Sequence, residues 1–196
     1  MAEALTQTQQ VAKRLKTIGE SVKWTYYSIM SVVTGAQTLK FFAGKEAADS
    51  RYYTNFDGVK AFPDGLAFKA QTLRFIPING KAIDVALLLR NSILTFTKGP
   101  KTYFEGLSLF LPPGVGLTRE FQTGNAAPAA GEGATGVTYA NNGLAALANV
   151  YRLDPAVTIG QRSRFTMQLD TNAANVLSAT TECAVAMDGL LVRETA

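Results

Sequence analysis

The sequence predicts a mainly β protein, an antiparallel β-sandwich built around one core, and three observations carry that expectation. Short segments rich in β-branched and aromatic residues recur along the chain, separated by Gly, Pro, Asn and Asp. Apolar residues make up 47% of the 196 positions and charged residues 17%, below the roughly 25% usual for soluble domains, so one ample core is available. No internal repeat at a period of about 20–50 residues is present, which disfavours solenoids and propellers.

From Thr6 to Val22, the apolar residues Val11, Leu15, Ile18 and Val22 recur at spacings of four, three and four, which lines one face of an amphipathic helix. Lys13, Arg14 and Lys16 fall off that stripe, and Gly19 weakens the helix near its end. Two readings stand for residues 1–22. The helix packs on its own domain, or it is an arm whose stripe meets a neighbouring copy while its basic residues face an acidic partner. Residues 23–196 then form a single domain. Lys23 to Val33 is dense in Trp24, Tyr26, Tyr27, Ile29, Val32 and Val33 and reads as a strand, and Thr38 to Phe42 follows after a break containing Gly35. Gly44 to Gly65 reads as a long surface excursion, with turn signals at Asp57-Gly58 and Asp64-Gly65 and with Pro63 barring central-strand pairing. Leu66 to Ile76 is the next strand, closed by Ile78-Asn79-Gly80.

Lys81 to Arg90 has little polar interruption and fits either period; a short buried helix is the favoured reading. Ser92 to Thr97 and Thr102 to Phe110 flank Lys98-Gly99-Pro100-Lys101 as a hairpin, and Pro100 argues for a loop longer than two residues. Pro112 to Gly143 is rich in Gly, Ala, Asn and Thr, too poor in large apolar residues for a core of its own; a loop of that length is usually functional or ordered by another chain. Leu144 to Leu153 reads as a short helix or strand. Ala156 to Ile159, Arg164 to Leu169 and Thr181 to Val192 complete a β-rich C-terminus, with Gly189 a candidate bulge in the last strand.

Composition excludes more chemistry than it identifies. Histidine is absent and Cys183 is the single cysteine, so His-dependent triads, His-ligated metals and internal disulfides are ruled out. Cys183 itself reads as a small buried strand residue. No apolar run approaches the roughly 20 residues of a membrane-spanning helix, and the N-terminus lacks the basic start and apolar run of a secretory signal, so cytoplasmic synthesis is expected. The net charge of +4 is unevenly spread: through Lys101, 14 basic residues face 7 acidic ones, whereas beyond it 5 arginines face 8 acids. Lys13-Arg14-Leu15-Lys16 is the densest basic group and supports at most weak, nonspecific nucleic-acid contact.

Gly131-Glu132-Gly133-Ala134-Thr135-Gly136 fits G-x-G-x-x-G but follows Ala-Pro-Ala-Ala rather than a strand and opens no helix, so it reads as flexible loop and no cofactor is expected. No calcium-loop or other metal pattern occurs. Asp57, Asp64 and Glu105 lie near Phe56, Phe62, Tyr103 and Phe104, residues that stack on sugars, which keeps open a carbohydrate-binding module or a two-carboxylate hydrolase. Turn residues and solvated strand faces account for these acids more simply, and no catalytic residue is assigned: the chain reads as a non-enzyme. The adjacent aromatics Tyr26-Tyr27, Phe41-Phe42 and Tyr52-Tyr53 point to opposite faces of a strand, so both faces require cover from a second layer or a neighbouring subunit.

An N-terminal helical arm, strands broken by long loops, the Ser92-to-Phe110 hairpin ending in Leu111-Pro112-Pro113-Gly114, and the late Phe165-to-Leu169 strand together resemble the single jelly-roll capsid proteins of tailless bacterial and archaeal viruses. That resemblance is architectural and transfers no functional residue. It implies a jelly roll with a short helical insert and a coat subunit that assembles in many copies into a virion shell after synthesis in the host cytoplasm. Strand, loop and arm contacts would then carry assembly, with other virion proteins and the genome as further partners.

Overall fold

Between Phe165 and Thr171 every second side chain is buried, the period-two signature of a strand with one face on a core. The same logic organises the whole molecule in a computed structural model, which describes residues 21–43, 52–56, 61–78, 82–112 and 150–193. Its strands are β1 (Ser21–Val32), β2 (Gln37–Phe41), β3 (Leu66–Pro77), β4 (Ser92–Lys98), β5 (Lys101–Leu107), β6 (Tyr151–Ile159), β7 (Phe165–Thr171) and β8 (Thr181–Arg193). A helix, α1 (Ala82–Arg90), joins β3 to β4, and a 3-10 turn covers Ser108–Phe110. The strands form two four-stranded sheets, ordered β1-β8-β3-β6 and β2-β7-β4-β5, and every pairing is antiparallel.

One core lies between the sheets. Tyr26 of β1 and Phe68 of β3 belong to one sheet, and Phe165 of β7 to the other. Phe62 lies between them, with ring centroids 5.2 Å from Tyr26, 5.8 Å from Phe68 and 5.8 Å from Phe165. Phe56 makes a second bridge, 5.5 Å from Tyr26 and 5.4 Å from Phe165. The stretch expected as a surface excursion therefore sends two rings into the interior, Phe56 at 1% and Phe62 at 2% exposure. Each removes roughly 150–250 Å² from water. Farther along, Phe104 of β5 meets Tyr151 of β6 at 4.8 Å, joining the edge strands of the two sheets. In α1, Val85, Leu88 and Leu89 sit at helical spacing and are buried, while Asp84 in the first turn and Arg90 in the last suit the helix dipole.

Several local expectations change. Val22, read as the end of the N-terminal helix, lies in β1 opposite Leu191; the other arm residues, Val11, Leu15, Ile18, Lys13, Arg14 and Lys16, lie outside the described residues, as do the Gly131–Gly136 motif and nearly all of the Gly/Ala-rich loop. The β4–β5 connection is two residues long, because Lys98 pairs directly with Lys101. Gly99, at φ 55°, takes the left-handed first position of the turn, and the fixed φ of Pro100 suits the second. The extra residue lies in β5: pairing passes from Phe96–Phe104 to Thr97–Thr102 and leaves Tyr103 as a bulge. That strand ends at Leu107 rather than Phe110, and β6 runs unbroken from Tyr151 to Ile159. The irregularity expected at Gly189 lies across from it, where Gln71 bulges out of β3 between Ala70–Gly189 and Thr72–Asp188. Gly189 accommodates the close strand, since a Cβ there would collide with the Lys69 carbonyl.

Three of the four sheet edges carry features that limit pairing with another chain. β1 is covered by residues 53–55: Ile29 N donates to the Tyr53 carbonyl at 2.7 Å, and Asn55 accepts from Tyr27 N and donates to the Thr25 carbonyl. β6 carries Pro155, whose ring nitrogen donates nothing, and β2 spans only five residues.

Candidate functional site

A groove of about 510 Å³ lies over the outer face of the β1-β8-β3-β6 sheet, lined by Lys23, Trp24, Thr25, Asn55, Gln71, Asp188 and Gly189. Alternation along β8 points Asp188 outward, where the aligned register brings Thr25, Thr72 and Arg74 to it. Its carboxylate accepts from Thr25 Oγ1 at 2.6 Å, Thr72 Oγ1 at 2.8 Å, Arg74 Nε at 2.8 Å and Arg74 Nη2 at 2.7 Å. Arg74 is almost wholly buried, and this fork makes a strong two-point pair. Both Asp188 oxygens are thus occupied, and the Asn55 amide is committed to the edge of β1. The polar groups here hold three strands together and leave little capacity for a ligand.

A second groove, about 310 Å³, opens where the β4–β5 turn meets the β6–β7 connection, lined by Lys98, Gly99, Pro100, Lys101, Tyr103, Ser163 and Arg164. The backbone fixes it: Gly99 N donates to the Arg164 carbonyl at 3.1 Å. Lys98 Nζ donates to the Thr158 carbonyl. Among the described residues no carboxylate lines it. The acid at this end, Asp64, is held by Arg162 through Nε at 2.7 Å and Nη2 at 2.6 Å. Those hydrogen bonds, with the guanidinium charge, hold the Asp64 carboxyl below the usual carboxylate range and raise Arg162. Among the described residues Lys101 and Arg164 have no side-chain partner, so the groove keeps its positive charge.

The opposite end has a different chemistry. There the β1–β2 turn, α1, the 3-10 turn after β5 and the β7–β8 connection expose Val33, Ile83, Leu109, Phe110 and Val176. Polar contacts behind these side chains fasten the segments. The buried Asp84 carboxylate accepts from Ser178 N and Ser178 Oγ, each at 2.8 Å, and Gly35 N donates to the Asn175 carbonyl at 2.8 Å. Ser92 Oγ donates to the Leu88 carbonyl at 2.6 Å and also touches Ser108 Oγ. The buried Asn175 side-chain amide has no hydrogen-bond partner among the described residues.

The sequence-derived candidates separate accordingly. Phe56, Phe62 and Phe104 belong to the core and offer no face to a sugar, whereas Tyr103 is 37% exposed and lines the basic groove. Asp64 faces Arg162, Glu105 is exposed on β5 opposite Thr95, and Asp57 lies outside the described residues. Val22 is 38% exposed near the start of β1. Cys183 is buried, and loss of hydration, reinforced by the Glu182 charge, pushes its thiol well above the ordinary range, where it is inert. Among the described residues no group of three or more acidic or cysteine side chains is placed to hold a metal, and no helix is long and apolar enough to cross a membrane. Sequence reasoning missed the basic groove because Arg164 is remote in sequence from the Lys-Gly-Pro-Lys turn; the paired lysines around that turn were its only local trace. No protein-family model and no curated protein matches this chain.

Proposed function

We propose that this chain is a virion coat subunit with a jelly-roll sandwich, acting by self-assembly rather than by turnover. The observation that carries the reading is the nesting of its strand pairs. β1 pairs with β8, β2 with β7, β3 with β6 and β4 with β5. A single long antiparallel hairpin wrapped into two sheets would have that connectivity, and this supports the jelly-roll reading. Features at three of the four sheet edges disfavour strand addition between copies, which favours side-chain contacts as the carriers of assembly. The apolar end supplies them: Val33, Ile83, Leu109, Phe110 and Val176 are presented by segments that buried hydrogen bonds hold in place, a surface suited to a second copy.

Sedimentation velocity with negative-stain microscopy of the full chain tests this. The wild type is expected to form defined homo-oligomers or particles, and Phe110→Asp with Val176→Asp to shift it to monomer at an unchanged melting temperature. Removing residues 1–19 separates any contribution of the arm. A wild-type chain that stays monomeric at every concentration overturns the reading.

A further inference from the structure

We propose that the groove between the β4–β5 turn and the β6–β7 connection binds the phosphodiester backbone of single-stranded nucleic acid, with Tyr103 offering its ring to one base. Among the described residues, three cations line it without a carboxylate among them. Lys98 spends one ammonium proton on the Thr158 carbonyl and keeps two for phosphate oxygens. The Arg164 backbone pairs with Ala61 and accepts from Gly99 N, and among the described residues its guanidinium fork, which matches phosphate geometry, is uncommitted. Lys101, exposed at the start of β5, completes the set.

The neighbouring acid Asp64 is removed from play by Arg162, which takes both of its oxygens. The groove is also ordered before any ligand arrives, by Lys98–Lys101 pairing and by the Gly99–Arg164 backbone bond, which lowers the entropy lost on binding. Tyr103 decides between strand types. The bulge places it out of the ladder, with its ring 5.9 Å from Phe96 and 37% of the residue exposed. A cationic groove beside an aromatic platform suits an unpaired base, whose π-face is free, rather than a duplex, whose bases are stacked. This site is independent of the coat reading and lies on the opposite end of the sandwich from the proposed subunit contacts.

Fluorescence anisotropy of the full chain with a fluorescein-labelled oligothymidine of about ten nucleotides, titrated across salt concentrations, provides the test. Lys101→Gln with Arg164→Gln, which leaves the Lys98 contact intact, is expected to flatten the slope of log affinity against log salt by about 1.4, or about 0.7 per phosphate. Tyr103→Ala is expected to weaken binding about tenfold with the salt slope unchanged, and Tyr103→Trp to restore it. Wild-type affinity and slope in the double variant, with binding lost instead in Lys13→Gln, Arg14→Gln, Lys16→Gln, would place the contact on the arm and overturn the proposal. Equal binding to phosphatidylserine vesicles or duplex, insensitive to Tyr103, also overturns it. Sedimentation of the same samples reads assembly separately: loss of particles with oligonucleotide binding intact counts against the coat reading alone.

Discussion

The two ends of this sandwich are closed by opposite means. At the basic end the β4–β5 and β6–β7 connections are short and fixed by backbone bonds, and rings from the longer β2–β3 connection are sunk between the sheets, so charged side chains are left outside. At the apolar end longer segments are fastened by buried polar groups, Asp84 to Ser178 and Ser92 to Ser108, so apolar side chains are left outside. What anchors a loop from behind thus determines what it presents in front. The Asn175 amide, buried and unpartnered at the apolar end, offsets part of what the Asp84 bonds contribute.

The largest effect should come from the anchor of the basic end. Phe62 touches rings of both sheets, and its carbonyl accepts from Arg162 N at 3.0 Å, so it links the core to the β6–β7 connection. Phe62→Ala should cost about 3–5 kcal/mol, the usual range for emptying a fully packed aromatic site. Phe110→Ala, at 60% exposure on the other end, should stay within about 0.5 kcal/mol. Urea denaturation measures both, as a shift in midpoint at constant slope. Equal losses would show that the two rings are packed alike and would remove the contrast.

Asp84→Ala should give an intermediate loss of about 2 kcal/mol, because the Ser178 amide and hydroxyl lose their acceptor in a buried setting. Faster amide hydrogen exchange should be confined to the β7–β8 connection, with the β2-β7-β4-β5 ladder unchanged. Uniform acceleration through both sheets would instead make Asp84 part of the common core.

The strands were legible because alternation is local: Phe165, Met167 and Leu169 announce their inward face within one segment. Val22 was misread because it extends a helical spacing begun at Val11 while also alternating in β1, and only the pairing with Leu191 decides between the two. Phe56 and Phe62 looked like loop aromatics, since nothing nearby in sequence reveals that Tyr26 and Phe165 converge on them. Pro100 predicts a longer hairpin loop, whereas a left-handed Gly99 ahead of it allows the tighter turn. Both grooves join residues far apart in sequence. Asp188 with Arg74, and Arg164 with Lys101, are brought together by strand register and connection geometry that local patterns do not encode.

The smallest effect tests how little the exposed ion pair contributes to fixing the basic end. Arg162 lowers the Asp64 carboxyl in the folded chain, so any stability from this contact is fully present above the unfolded carboxyl pKa of about 4 and is lost as pH falls through the lowered folded value. Asp64→Asn removes that dependence. Its melting temperature should lie slightly below wild type at neutral pH and low salt, converge with it in acid, and converge again at high salt, because both side chains are solvent-exposed and screened. A gap that survives both acid and salt would mean that Asp64 holds the β6–β7 connection by something other than charge. The rigidity assigned to the Gly99–Arg164 backbone bond would then belong in part to this side chain.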